Sequence, residues 1–144
     1  MEPVIDHIQI TVRDMDVAIP FYDRLLPLLG FDAKQRIDAT VPAHELHVLE
    51  YGSPRLCFAI SSPRAGFENE PIHRRKPGSL HHLAFRAESR EEVDRIHAGL
   101  VAIGVPIVDG PRVFPQHGPN HYAVFFKDLE GIKYEVVCGV APPT

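Results

Sequence analysis

Residues 4–12 read VIDHIQITV and residues 79–87 read SLHHLAFRA, and these two stretches decide the fold. In the first, Ile8, Ile10 and Val12 point one way while His7, Gln9 and Thr11 point the other, the period-2 alternation of a strand with one polar face. In the second, Leu83, Phe85 and Ala87 lie on one side and His82, Ala84 and Arg86 on the other. His82 follows His7 by 75 positions and Gly104 follows Gly30 by 74, so the chain holds a repeat that is structural rather than literal.

Each strand is followed by the same kind of element. After the first, Asp14 or Asp16 can cap a helix carrying Phe21, Leu25, Leu28 and Leu29 on one face and ending at Gly30. Pro20 is tolerable only near the first turn, and Pro27 should distort the last, because it removes a backbone donor. Strands are expected at about 31–37, 44–51 (HELHVLEY) and 55–60 (RLCFAI), with a Gly52-Ser53-Pro54 turn between the last two. The first module, 4–60, therefore reads βαβββ. Residues 61–79 are rich in Pro, Gly and charge and form a linker. In the second module, 80–138, Glu88 or Ser89 caps a helix over 90–103 that ends at Gly104. Strands follow at 105–113, 121–127 and 132–138, the last two joined by a hairpin at Asp128-Leu129-Glu130-Gly131. The expected class is α+β, a single domain over 1–144 made of two βαβββ modules.

Composition narrows the function. Of 144 residues 44% are hydrophobic and 24% charged, which excludes disorder, collagen-like repeats and coiled coil. The formal net charge is −4 and no Lys/Arg stripe appears, so nucleic acid and anionic membrane find no electrostatic handle and a small-molecule partner is expected. The run His73-Arg74-Arg75-Lys76 reads as solvated linker. No apolar run approaches the roughly 18 residues of a membrane span, and the acidic start is unlike a signal peptide, so a cytoplasmic location is expected. Cys57 and Cys138 lie far apart with no CxxC spacing and read as reduced thiols.

The chemistry gathers on the polar strand faces. His7 and His82 occupy the same point of the first strand in each half. Glu135 interrupts the apolar strand IKYEVV, where Tyr134 and Val136 face the other way, and a carboxylate there is costly unless it is used. Two imidazoles and a carboxylate make a three-ligand metal site with open positions, the arrangement needed for Lewis-acid work or oxygen activation. The segment FPQHGPNHYAVFF, 114–126, adds His117, His121 and Tyr122 as candidates for proton transfer, since imidazole titrates near neutral pH. Arg86, on the face of His82, can pair with a substrate carboxylate or with Glu135; Gln9, on the face of His7, is a further substrate-facing side chain.

The paired modules, the DHI opening, HHLAF after the linker and FFKDLEGIKYEVV near the end resemble the vicinal oxygen chelate superfamily, which includes glyoxalase I, fosfomycin-resistance proteins, extradiol dioxygenases and bleomycin-resistance proteins. The resemblance covers nearly the whole chain. It implies a glyoxalase-like fold in which the modules form a cupped eight-stranded mixed sheet. It further implies one divalent metal ion (Fe, Mn, Ni, Zn or Co) held by His7, His82 and Glu135, and a substrate that chelates it through adjacent oxygens. In glyoxalase I a fourth ligand sits on the last strand of the first module; the matching residue here is about Cys57, a small side chain counted as substrate-facing, while a different register would bring in Glu50 or His47. His81 is expected to face solvent or to pack beneath the helix.

The expectation is a metal-dependent enzyme with lyase, isomerase or dioxygenase chemistry. The alternative is a sequestering protein of the bleomycin-resistance type, which binds without turnover; the ligand triad favours the enzyme. A fosfomycin-type transferase lacks a visible motif for a thiol cosubstrate. Exposed sheet edges and the resemblance together imply a homodimer, in which modules from two chains can pair.

Overall fold

The alternation in VIDHIQITV becomes strand β1, His7–Thr11, with Ile10 buried and His7, Gln9 and Thr11 exposed. The structure is a computed structural model that describes residues 3–71 and 73–141; Ile72 of the expected linker lies outside them. The chain divides into two compact units, Met1–Pro71 and Ile72–Thr144.

In the first unit β1 is followed by α1, Met15–Leu28, and then by β2, Asp32–Val41, β3, Leu46–Gly52, and β4, Cys57–Ser61. Of the two possible caps, Asp14 is used: its side chain accepts from the N–H groups of Asp16 and Val17, satisfying donors that a helix start leaves unpaired. Pro20 lies further into the helix than expected, in the second turn, and Pro27 in the last. The buried stripe is Met15, Ala18, Phe21, Tyr22, Leu25 and Leu26, so Leu28 and Leu29 stand at its edge rather than on it. Gly30, with φ +90°, then reverses the chain. The strands are ordered β1-β4-β3-β2, with β1 parallel to β4 and the other pairs antiparallel. α1 packs on the face carrying Phe58, whose ring lies 6.1 Å from that of Tyr22. Tyr51, fully buried on the same face, donates its hydroxyl hydrogen to Asp23 Oδ1 at 3.0 Å.

The second unit repeats the plan with β5, Leu83–Arg86, α2, Arg90–Ala102, β6, Ile107–Val113, β7, Tyr122–Lys127, and β8, Lys133–Cys138. Ser89 is the cap in use, accepting from the Glu92 N–H at 3.1 Å. The order β5-β8-β7-β6 matches that of the first sheet, again with one parallel pair, β5 with β8. The eight strands are thus two four-stranded mixed sheets with two helices, an α+β architecture. The β7–β8 turn is held by Asp128, whose Oδ1 accepts from the N–H groups of Glu130 and Ile132 and whose Oδ2 accepts from the Tyr134 hydroxyl at 3.0 Å. Val93, Leu100, Phe126, Tyr134 and Val136 form the helix-side core. No helix of the described residues is long and apolar enough to cross a membrane.

Candidate functional site

Strand alternation gives the sheet of the second unit a helix side and an opposite side. Leu83 and Phe85, Tyr134 and Val136, and Tyr122, Val124 and Phe126 face α2; Glu135, Val137, Ala123 and Phe125 face away. On that second side Glu135 is 5% exposed, a buried carboxylate that needs partners. It has two. His121 Nε2 lies 2.6 Å from Oε1, and His82 Nε2 lies 3.5 Å from Oε2. With the carboxylate oxygen as acceptor, His121 donates through Nε2.

Both histidines sit just outside strands. β5 begins one residue after His82, and β7 one residue after His121. The His121 carbonyl accepts from the Phe114 N–H at 2.8 Å, which anchors the short 3-10 turn Pro115–His117 beside it. The His117 ring consequently lies 5.1 Å from that of His121. His81 is exposed, its Nδ1 2.8 Å from that of His82, with its pKa lowered by local desolvation and by the nearby charge of Arg74.

Below the imidazoles lies an apolar floor of Phe114, Ala123 and Phe125, with Val137 packed against it. Two cations cover it: the Arg112 guanidinium stands 3.9 Å over Phe114, and the Lys133 ammonium 4.0 Å over Phe125. Partial burial, followed by the charge of Arg74, lowers the Lys133 pKa. Lys133, Phe114 and Phe125 were not singled out in the sequence, yet the alternation that turns Glu135 away from the helix also puts Lys133 two residues before it on one face, and sets Phe125 in phase with His121.

Other candidates fall elsewhere. Tyr122, one step out of phase with His121, faces α2, where its hydroxyl donates to Asp94 Oδ1 at 2.7 Å. The structure therefore separates it from the imidazole group. Arg86 is exposed at the end of β5, and the carboxylate of Glu135 is met by imidazoles rather than by this guanidinium.

In the first unit His7 is exposed, its Nδ1 2.9 Å from Asp6 Oδ2, and it stands opposite Cys57 in the β1–β4 pairing. Gln9, Ala59 and Glu50 share that face. The Cys57 thiol is pushed up by burial and then by the negative charges of Glu50 and Asp6, so it stays protonated at neutral pH. The repeat register corrects one expectation. Gln9 pairs with Ala59, while the corresponding Ala84 pairs with Glu135, so the counterpart of Glu135 in the first unit is Ala59 and the counterpart of Lys133 is Cys57. His47 lies on the helix side with Leu49 and Tyr51 and pairs with Asp38 at 2.8 Å, which takes it away from His7.

Among the described residues no group of three or more His, Cys, Asp or Glu side chains is arranged around a common centre for a metal. Even so, His82 Nε2 and a buried carboxylate, held in place by His121, form a nitrogen and oxygen donor set that fits a divalent transition ion.

The sequence pattern of the Glyoxalase/Bleomycin resistance protein/Dioxygenase superfamily matches residues 4–136. The chain belongs to this superfamily. As a superfamily member it is 30% identical over 131 residues to the uncharacterized protein YqjT of Bacillus subtilis, covering 91% of this chain and 95% of that one. It is 28% identical over 102 residues to a 2,2',3-trihydroxybiphenyl dioxygenase of Sphingomonas paucimobilis; the match covers 71% of this chain but 30% of the dioxygenase. A crystal structure of a candidate glyoxalase from Bacillus halodurans shares 33% identity with a TM-score of 0.73, over 95% of this chain and 96% of that one. Superfamily members bind small molecules, commonly with a divalent metal and often as dimers.

Proposed function

We propose that this superfamily member is a metal-dependent enzyme acting on a small substrate that offers two adjacent oxygens to a divalent ion, with lyase, isomerase or dioxygenase chemistry. The observation that carries the reading is Glu135: a buried carboxylate on the side of the sheet away from the helix, gripped by one histidine and faced by another. In this reading His82 and Glu135 hold the ion, and His7 of the first unit is the third ligand. When bound, the ion polarises the substrate oxygens as a Lewis acid. His121 positions Glu135 by donating to Oε1, and its Nδ1, with the exposed His117 ring beside it, is available to move a proton at the substrate. The floor of Phe114, Ala123, Phe125 and Val137 keeps water from one side of the reacting group. Gln9 and Cys57 share the face of His7 and are the first unit's contribution to substrate contact.

The reading is tested by metal analysis of protein purified without chelators, followed by glyoxalase and oxygen-uptake assays. A stoichiometric divalent ion with turnover in either assay supports it. Tight small-molecule binding with no ion and no turnover would replace it with a sequestering function. We also infer a homodimer, because β2 is a ten-residue strand at the sheet margin that leaves Ile37 59% exposed; a monomer in light scattering would reject this.

A further inference from the structure

Lys133 is a half-buried ammonium on the same side of β8 as Glu135, two residues away and so about 7 Å along the strand. Its Nζ rests 4.0 Å over the Phe125 ring, and among the described residues no carboxylate is paired with it. Arg112 presents a useful contrast. It too lies over a ring of the floor, but Asp109 takes its charge through contacts to Nε at 3.0 Å and Nη2 at 2.8 Å. The acids nearest Lys133 are thus both engaged, Asp109 by Arg112 and Glu135 by His121 and His82, while Arg74 and Lys127 add positive charge around it. The Lys133 ammonium thus stands on the apolar floor that Glu135 and the imidazoles also border.

We propose that Lys133 is a specificity-determining residue that binds a carboxylate carried by the substrate, so that the substrate class is a compact ring acid. Lys133 is the ammonium that stands on the floor itself, and a monoanionic carboxylate, rather than a dianionic phosphate, matches its single charge. Lys133 and Glu135 lie two residues apart on one side of β8, so a ligand with its adjacent oxygens at Glu135 and its acid group at Lys133 is compact, as a single six-membered ring is. Phe125 and Phe114 supply the apolar surface along which such a ring lies. This rests on the reading of the Glu135 end as the place for adjacent oxygens, so the test separates the two.

Calorimetric titrations of 3,4-dihydroxybenzoate, catechol, benzoate and phenol into the full chain, with Mn²⁺ and after chelator treatment, provide it. The wild type is expected to bind 3,4-dihydroxybenzoate about tenfold more tightly than catechol, the effect of one charge-assisted contact. Lys133→Gln should reduce that ratio to under about threefold, and Lys133→Arg should restore it. Equal binding of the two ligands by the wild type, or a ratio that survives Lys133→Gln, overturns the assignment. Benzoate favoured over phenol by the wild type but not by Lys133→Gln, with Mn²⁺ changing neither, would leave Lys133 as the carboxylate site and remove the metal from the proposed function.

Discussion

Ala59 stands in the first unit where Glu135 stands in the second: Gln9 pairs with Ala59 across β1 and β4 as Ala84 pairs with Glu135 across β5 and β8. The two halves of the repeat therefore differ at the position where Glu135 meets its two histidines, and in the proposed function it is Glu135 that supplies negative charge to the divalent ion. Glu135→Gln keeps the shape and removes that charge. The variant is expected to lose metal and turnover while its thermal unfolding stays close to that of the wild type, because β8 packs through Tyr134 and Val136 on its other side. Full metal occupancy with normal activity would show that the carboxylate has another purpose.

The 2.6 Å contact from His121 to Glu135 makes a separate prediction for the histidines. Removing the partner of a ligating carboxylate typically costs about 10- to 100-fold in metal affinity, so His121→Ala should weaken metal binding by that amount. His117→Gln should leave metal affinity unchanged and lower turnover, by about 10²-fold where it is the proton carrier. Tyr122→Phe should alter neither quantity and should cost about 1 kcal/mol of stability through the lost contact to Asp94. An activity loss confined to Tyr122→Phe would reverse this ordering.

Much of this was legible in the sequence because period-2 alternation is a local signal. It assigned β1, β8 and the buried Tyr134 and Val136, and it marked Glu135 as a costly residue that must have a use. The same rule, applied to HYAVFF, already separates Tyr122 from His121. What stayed hidden depends on pairing between strands far apart in sequence. Whether Cys57 or Ala59 matches Glu135 is set by the offset of β4 against β1, a quantity that no single strand contains. The contact of His121 with Glu135 likewise needs β7 and β8 in register, Phe125 opposite Glu135. The cations over Phe114 and Phe125 followed from no sequence pattern of their own, since ring and charge come together only when the sheet forms.

Two glycines with positive φ should respond differently to alanine. Gly110, with φ +88°, would bring an added Cβ to 2.3 Å from the carbonyl oxygen of Ala123, in the strand that supplies the apolar floor. Gly104, with φ +77°, has nothing within 4 Å of such an atom. Gly104→Ala should therefore cost only the backbone strain, about 1 kcal/mol, and keep ligand binding. Gly110→Ala adds a clash that backbone must absorb, so a loss of at least about 2 kcal/mol and a disturbed floor are expected. Equal melting temperatures for the two variants would contradict the close approach of Gly110 to β7.

The last prediction concerns the first unit and its dependence on pH. Burial raises the Tyr51 pKa above its ordinary value near 10, and the hydrogen bond to Asp23, whose other oxygen pairs with Arg36, raises it further. The phenol is therefore held neutral in the folded chain while the unfolded chain ionises at the ordinary value. A group whose folded pKa is raised gives stability that is complete below the unfolded pKa and is lost as pH climbs through the folded one. Between pH 7 and 9 Tyr51→Phe should then cost about 2 kcal/mol, the worth of a buried hydrogen bond to a charged acceptor. Above pH 10 the wild type alone carries this proton linkage, falling by up to about 1.4 kcal/mol per pH unit from this residue, so the gap between the two proteins should narrow. Denaturant titrations at pH 8, 10 and 11 read it directly. A gap that stays constant or widens over that range would mean that Tyr51 ionises as freely in the folded chain as in the unfolded one.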